Sequence, residues 1–231
     1  MQAKFFWNMS GQEQQSHKFQ LEQLVNNPEY RKKLTTGILV VLVAVTGFFL
    51  YRNYVMIPNE KEGFERMYKA EFYFAQDSLQ LALDGRPGEF DGFLTIADEF
   101  GGKPGSLAHL YAGLCYLNLG NFQEAIPHFE AFDGNDMILA PSAMGNIGDC
   151  YLELGNAEEA VVYYEKAAGM NANMLTSPRF LNKAAMVQYE LLNNKERALK
   201  LYEKLAKEYY FTAEGRNAER MVALIEQELA Q

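Results

Sequence analysis

Residues 113–126 read GLCYLNLGNFQEAI and residues 148–161 read GDCYLELGNAEEAV, so nine of fourteen positions are identical at an offset of 35. Self-similarity at a period of about 34 residues signals a stack of helix pairs, because each copy carries an apolar face that only a neighbouring copy can cover. Gly113 and Gly148 stand three residues before Tyr116 and Tyr151, while Ala125 and Ala160 stand four residues before Phe129 and Tyr164. At helical spacing the members of each pair share one face of their helix. Glycine and alanine leave room where two antiparallel helices touch, toward the close end of the usual ~8–10 Å between axes, and aromatic rings fill the gaps around the contact. Gly120-Asn121 and Gly155-Asn156 supply the turns.

Extending the pattern gives helix pairs over 106–132, 139–169 and 178–209 and a capping helix over 213–229. The third copy keeps Tyr189, Ala198 and Tyr202 at a spacing of 38, but Met186 stands where glycine did. Residues 62–100 read as a degenerate first hairpin. Apolar positions 64, 68, 72, 75, 79, 82 and 83 follow helical spacing, GRPG at 85–88 stops that helix, and the stretch FDGFLTIADEF runs to GGKPG. No segment alternates in the β-branched manner of a strand, so the expected fold is all-α. The words G-x-x-Y and A-x-x-x-F resemble the tetratricopeptide repeat (TPR) family, which implies a TPR-type helical-hairpin solenoid. His109 and Met144 stand where that family has tryptophan, and proline at the repeat ends is irregular. Those departures blur hairpin boundaries, not the architecture.

Leu34–Tyr51, LTTGILVVLVAVTGFFLY, is 18 residues without a charge. At ~1.5 Å per residue it spans ~27 Å, enough for a hydrocarbon core. It is apolar on every face, which disfavours a buried helix of a soluble core. Asn27 as cap, Pro28 in the first turn and Glu29 near the positive dipole end start the helix. Arg31, Lys32 and Lys33 abut the span, whereas Arg52 flanks its other end alone. That cationic excess holds the N-terminus in the cytoplasm and exports the rest. No small-x-small site follows in YRNYVMIPNE, so an uncleaved signal anchor is expected. The expected organisation is a cytoplasmic tail at 1–33, a transmembrane helix at 34–55 and an exported repeat domain at 56–231. Phe5, Phe6 and Trp7 on the tail suit a membrane surface or a partner, or have no fixed role.

Charge narrows the partners. Residues 1–33 carry five basic and three acidic side chains, net +2, and from Arg52 onward there are 16 basic and 27 acidic ones, net −11. An acidic domain without a basic stripe repels phosphate backbones, which excludes nucleic acid as the expected partner.

One cytoplasmic tail, one span and about four such hairpins, with the words AEFYFAQDSLQLALDG, GFLTIADEFGG and AHLYAGLCYLNLG, resemble the YfgM-like ancillary subunits of the bacterial Sec translocon. The resemblance implies a single-pass protein of the bacterial inner (cytoplasmic) membrane with a periplasmic C-terminal domain. It also implies a place beside the export channel, linking it to periplasmic folding factors, chaperones or exported clients.

No catalytic, cofactor or metal site is expected, and no small-molecule substrate. His17, His109 and His128 form no metal-ligand spacing, and neither a phosphate-binding glycine loop nor a nucleophile elbow occurs. Cys115 and Cys150 occupy equivalent places in successive repeats. Stacked helices ~8–10 Å apart exceed the ~4.4–6.8 Å Cα separation of a disulfide, so two free buried thiols are expected even in an oxidising space.

The first helices of stacked hairpins line the inner face, which makes Leu110, Leu114, Leu117 and Asn118, then Asp149, Leu152 and Glu153, then Lys183, Val187 and Glu190 the partner-groove candidates. The leucines either floor that groove or lie buried between hairpins. A groove with an apolar floor and acidic edges suits an apolar or basic protein segment. Clamping a C-terminal carboxylate needs several cationic and amide donors, and here only Lys183 and Asn118 are offered. The function expected is a non-enzymatic membrane-anchored scaffold, with a holdase-type periplasmic chaperone or an assembly scaffold of another envelope complex as rivals.

Overall fold

The computed structural model describes residues 27–231, so Phe5, Phe6, Trp7 and His17 lie outside the described residues. The chain divides into two units, Met1–Pro58 and Asn59–Gln231.

The described part of the first unit is α1 (Pro28–Tyr51) followed by a π-helical turn, Arg52–Met56. Asn27 caps α1 by accepting the Glu29 N–H at 3.0 Å. None of its 24 residues is buried, and a helix of that length is ~36 Å long. The Thr35 and Thr36 hydroxyls donate back to the Lys32 carbonyl at 2.9 and 2.8 Å, so both are satisfied within the helix. By length and composition this helix can cross a bilayer.

The second unit holds most of α2 (Ile57–Ala75), then short helices α3 (Leu79–Asp84) and α4 (Phe93–Glu99). Between α3 and α4 lies an antiparallel ribbon of β1 (Gly85–Arg86) and β2 (Phe90–Asp91). The expectation of a strandless chain is corrected here. Two-residue strands are too short to leave an alternating pattern. Arg66 staples the region together, donating to Asp91 at 2.7 Å and Glu99 at 2.6 Å with its guanidinium over the Phe100 ring. The first helix stops at Ala75, before GRPG, and it packs on a different face from the one expected. Gly63, Met67 and Ala70 are buried, while Phe64, Tyr68 and Phe72 are exposed. Gly63 decides this, because an added Cβ would sit 2.6 Å from the Pro104 Cβ. The small residue admits the neighbouring helix; the larger rings face away.

Three helix pairs follow: α5 (Gly102–Asn118) with α6 (Phe122–Ala131), α7 (Leu139–Glu153) with α8 (Ala157–Gly169), and α9 (Thr176–Met186) with α10 (Lys195–Glu208). Each helix packs on the next in chain order, and α11 (Ala213–Leu229) closes the row against α10. Thr212 caps α11 by accepting the Gly215 N–H at 3.0 Å. Gly120 and Gly155, both at φ +81°, take the left-handed position that ends α5 and α7. The Asn121 and Asn156 N–H groups then close back on the Tyr116 and Tyr151 carbonyls.

The small-residue contact has the same form in two pairs. A Cβ on Gly113 would meet the Phe129 ring at 2.8 Å, and one on Gly148 would meet the Tyr164 ring at 2.7 Å. In the third pair the register changes. Pro104, Pro141 and Pro178 recur every 37 residues near the starts of α5, α7 and α9, which makes Ala185 the counterpart of Gly148. Ala185 is fully buried, and Met186, assigned that place from sequence, is 40% exposed. The π-helical segment Val187–Leu191 inserts one residue after Met186, so the spacing becomes 38 from Tyr189 onward.

Cys115 and Cys150 are both buried and unpaired. Burial pushes each thiol up to about 12.

Replacing Gly148 by alanine should lower unfolding free energy by ~1–3 kcal/mol, because the fully buried Tyr164 ring would have to shift out of its packing to admit the methyl group. Replacing Gly169, whose added Cβ meets nothing within 4 Å, should leave stability unchanged or slightly higher. Urea titration followed by far-ultraviolet circular dichroism measures both, and equal effects would contradict the contact.

Candidate partner groove

A shallow cavity of about 650 Å³ runs across the three helix pairs. Leu117 and Asn118 from α5, Asp149, Leu152 and Glu153 from α7, and Lys183 from α9 with Val187 just after it line the cavity. Phe122 from α6, Tyr164 from α8 and Met186 complete the lining. Three of the residues expected from sequence lie elsewhere. Leu110 is buried in the core between α5, α6 and α7, and Leu114 packs half-buried against the same cluster. Glu190 is exposed on the π-helical segment, outside the lining.

The three lining residues not expected have readable origins. Tyr164 was legible as the ring over Gly148, but its hydroxyl also reaches the cavity. Phe122 opens the helix after the Gly120 turn, and Met186 is turned outward by the register change.

One polar cluster organises the floor. Lys183 Nζ donates to both Asp149 carboxylate oxygens, at 2.6 and 2.8 Å, and the Tyr164 hydroxyl donates to Asp149 Oδ1 at 2.6 Å. The Lys183 ammonium also lies 5.4 Å from the centre of the Tyr164 ring. Burial, and then the bond to Asp149, push the Tyr164 phenol well above its ordinary range, so it stays a donor. The lysine and aspartate cancel each other's charge. Among the described residues Glu153 has no ion-pair partner, which leaves the rim net acidic. Asn118 Nδ2 is already given to the Leu114 carbonyl at 2.8 Å. Both donors a carboxylate clamp would need are therefore partly engaged, and the lysine's charge is already offset.

His109 and His128 meet across α5 and α6 with their Nδ1 atoms 3.0 Å apart, and Tyr116 lies against His128. One imidazole donates and the other accepts, so the pair requires a neutral ring. Among the described residues no group of three or more histidine, cysteine or acidic side chains is placed to hold a metal ion.

Stacked antiparallel helix pairs with a shallow cavity along their first helices define a helical-repeat protein of the kind that binds other polypeptides. Family models for the tetratricopeptide repeat match residues 107–133, 141–174 and 183–209. Among solved structures, a Podosopora anserina protein described as a kinesin light chain with nearly identical TPR-like repeats superposes with a TM-score of 0.51, and a single-residue variant of it with 0.53. Each is 14% identical and covers 72% of this chain and 86% of its own. That likeness is one of fold alone. No curated protein sequence matches the chain. The chain carries tetratricopeptide-type repeats over those residues and folds there as a helical-hairpin solenoid, with an apolar helix ahead of it in sequence.

Burial lowers both histidine pKa values below the ordinary 6.5, and at His128 the neighbouring His109 adds to this. The unfolded chain then takes up protons first, so stability is full above pH ~6.5 and is lost as pH falls below it. The melting temperature should drop between pH 7.5 and 5.5, and the double variant H109N/H128N should show a smaller drop. Equal drops would remove the pair from the pH response.

Proposed function

We propose that this chain is a non-enzymatic scaffold, anchored by α1 in the bacterial inner membrane with its N-terminus in the cytoplasm. Its repeats hold a protein partner outside, as an ancillary component of the Sec export channel. The observation that carries the binding part is the cavity itself, an apolar floor of Leu117, Leu152 and Val187 whose half-buried Lys183 is already neutralised. What remains is apolar surface under an acidic rim, which favours an apolar segment carrying basic residues. The anchoring part is supported by α1 and the Arg31-Lys32-Lys33 cluster at its start. The place beside the channel rests on the resemblance to YfgM-like subunits, whose partners are channel subunits and periplasmic folding factors.

Purification from membranes in mild detergent, followed by mass spectrometry, should recover channel subunits with the chain. Their absence removes the translocon assignment. A chain carrying Glu153→Lys and Met186→Lys, both at exposed positions, should recover its folding-factor or client partner about tenfold less well while melting at the same temperature. Undiminished recovery would place the partner elsewhere. Purified repeats that suppress aggregation of a model client unaided would favour a holdase.

A further inference from the structure

The first helix pair joins two histidines that lie 19 residues apart in the chain, so no local motif marks them. His109 on α5 and His128 in the last turn of α6 face each other with their Nδ1 atoms 3.0 Å apart. Their ring centres are 5.2 Å apart, close to the largest separation that this nitrogen contact allows. The lone pair of a ring nitrogen points straight away from the ring centre, so the two nitrogens meet end to end on one line. Tyr116 lies against the His128 ring, 5.4 Å from centre to centre, and steadies it.

Two opposed nitrogens on a line hold either one shared proton or one metal ion. The donor count selects the ion. Zinc asks for a tetrahedron of ligands, and calcium and magnesium for shells of oxygen. Among the described residues no third histidine, cysteine or carboxylate converges on the pair. Two donors in a straight line suit a monovalent ion with a filled d shell, such as copper(I), and imidazole is a copper ligand. A metal–imidazole bond is ~2 Å long, so a linear bridge needs nitrogens about 4 Å apart, ~1 Å more than the contact provides. A cavity of about 340 Å³ beside His109, bordered by Asp98, Gly105, Ser106 and Asp133, gives that ring room to withdraw.

Charge agrees with a cation here. His128 stands at the C-terminal end of α6, where the helix dipole is negative, and the Asp98 and Asp133 carboxylates line the way in. Burial holds both imidazoles neutral, which is the form that ligates. We propose that His109 and His128 form a linear two-coordinate site for copper(I). On binding, the proton between the rings moves to Nε2 of the ring that carried it. Each Nδ1 then gives its lone pair to the ion, both rings stay neutral, and the site gains a single positive charge.

The test uses the full chain in mild detergent, under nitrogen, with ascorbate as reductant and no thiol reagent. The probe is copper(I) alone, supplied from its bathocuproine disulfonate complex. The natural chain should draw copper from that complex. His109→Asn and His128→Asn, each retaining a hydrogen-bonding side chain, should each weaken the binding at least about a hundredfold, more than loss of an outer-shell partner costs. Cys115→Ala and Cys150→Ala should leave it unchanged, and zinc(II) should not compete. Binding that survives both histidine changes, that is lost with either cysteine, or that zinc(II) displaces overturns the inference. Where an asparagine variant fails to fold, X-ray absorption of the natural chain with one equivalent of copper(I) decides. Two nitrogen neighbours in line and no sulfur uphold the site; a sulfur neighbour or a higher coordination number removes it.

Discussion

Two contacts set the geometry of this protein: a glycine on one helix directly beneath an aromatic ring on the next, Gly113 under Phe129 and Gly148 under Tyr164. The absent side chains fix how near the helices of a pair come, and that spacing is passed along the row. Tyr164 shows how far the dependence reaches. Its ring closes the hairpin and its hydroxyl fixes Asp149, which in turn holds Lys183. Packing and groove electrostatics meet in one residue, so a change that loosens the helix contact also disturbs the charge pattern of the cavity.

Much of this was legible because it is local and periodic. The glycine–aromatic words, the turn glycines and the unbroken apolar run each encode their role within a few residues. The face of α2 was not legible. Phe64, Tyr68 and Phe72 have helical spacing and hydrophobicity, but Gly63 opposite Pro104 decides which side packs, and that contact spans some forty residues of chain. The β-ribbon was hidden because strands of two residues have no period. In the third pair the one-residue π-helical insertion shifted the apparent register, so Met186 took the place that the proline spacing gives to Ala185.

The groove was read from helix periodicity, and periodicity finds a face but not its depth. Leu117, Leu152 and Val187 reach the cavity, while Leu110, two turns back from Leu117 along the same face, is swallowed by the core. The difference comes from α7 and α6 closing over the start of α5, a tertiary event that no single helix records. Charge was equally incomplete. Lys183 is a cation in the sequence, but its pairing with Asp149 removes that cation from what an incoming segment feels.

The paired small residues that admit the rings are matched by small sulfur at Cys115 and Cys150, which pack as apolar fillers and stay protonated. A fold whose thiols neither join nor ionise owes nothing to the redox poise of its surroundings. It matures without an oxidase or an isomerase, and keeps its shape in reducing and oxidising compartments alike.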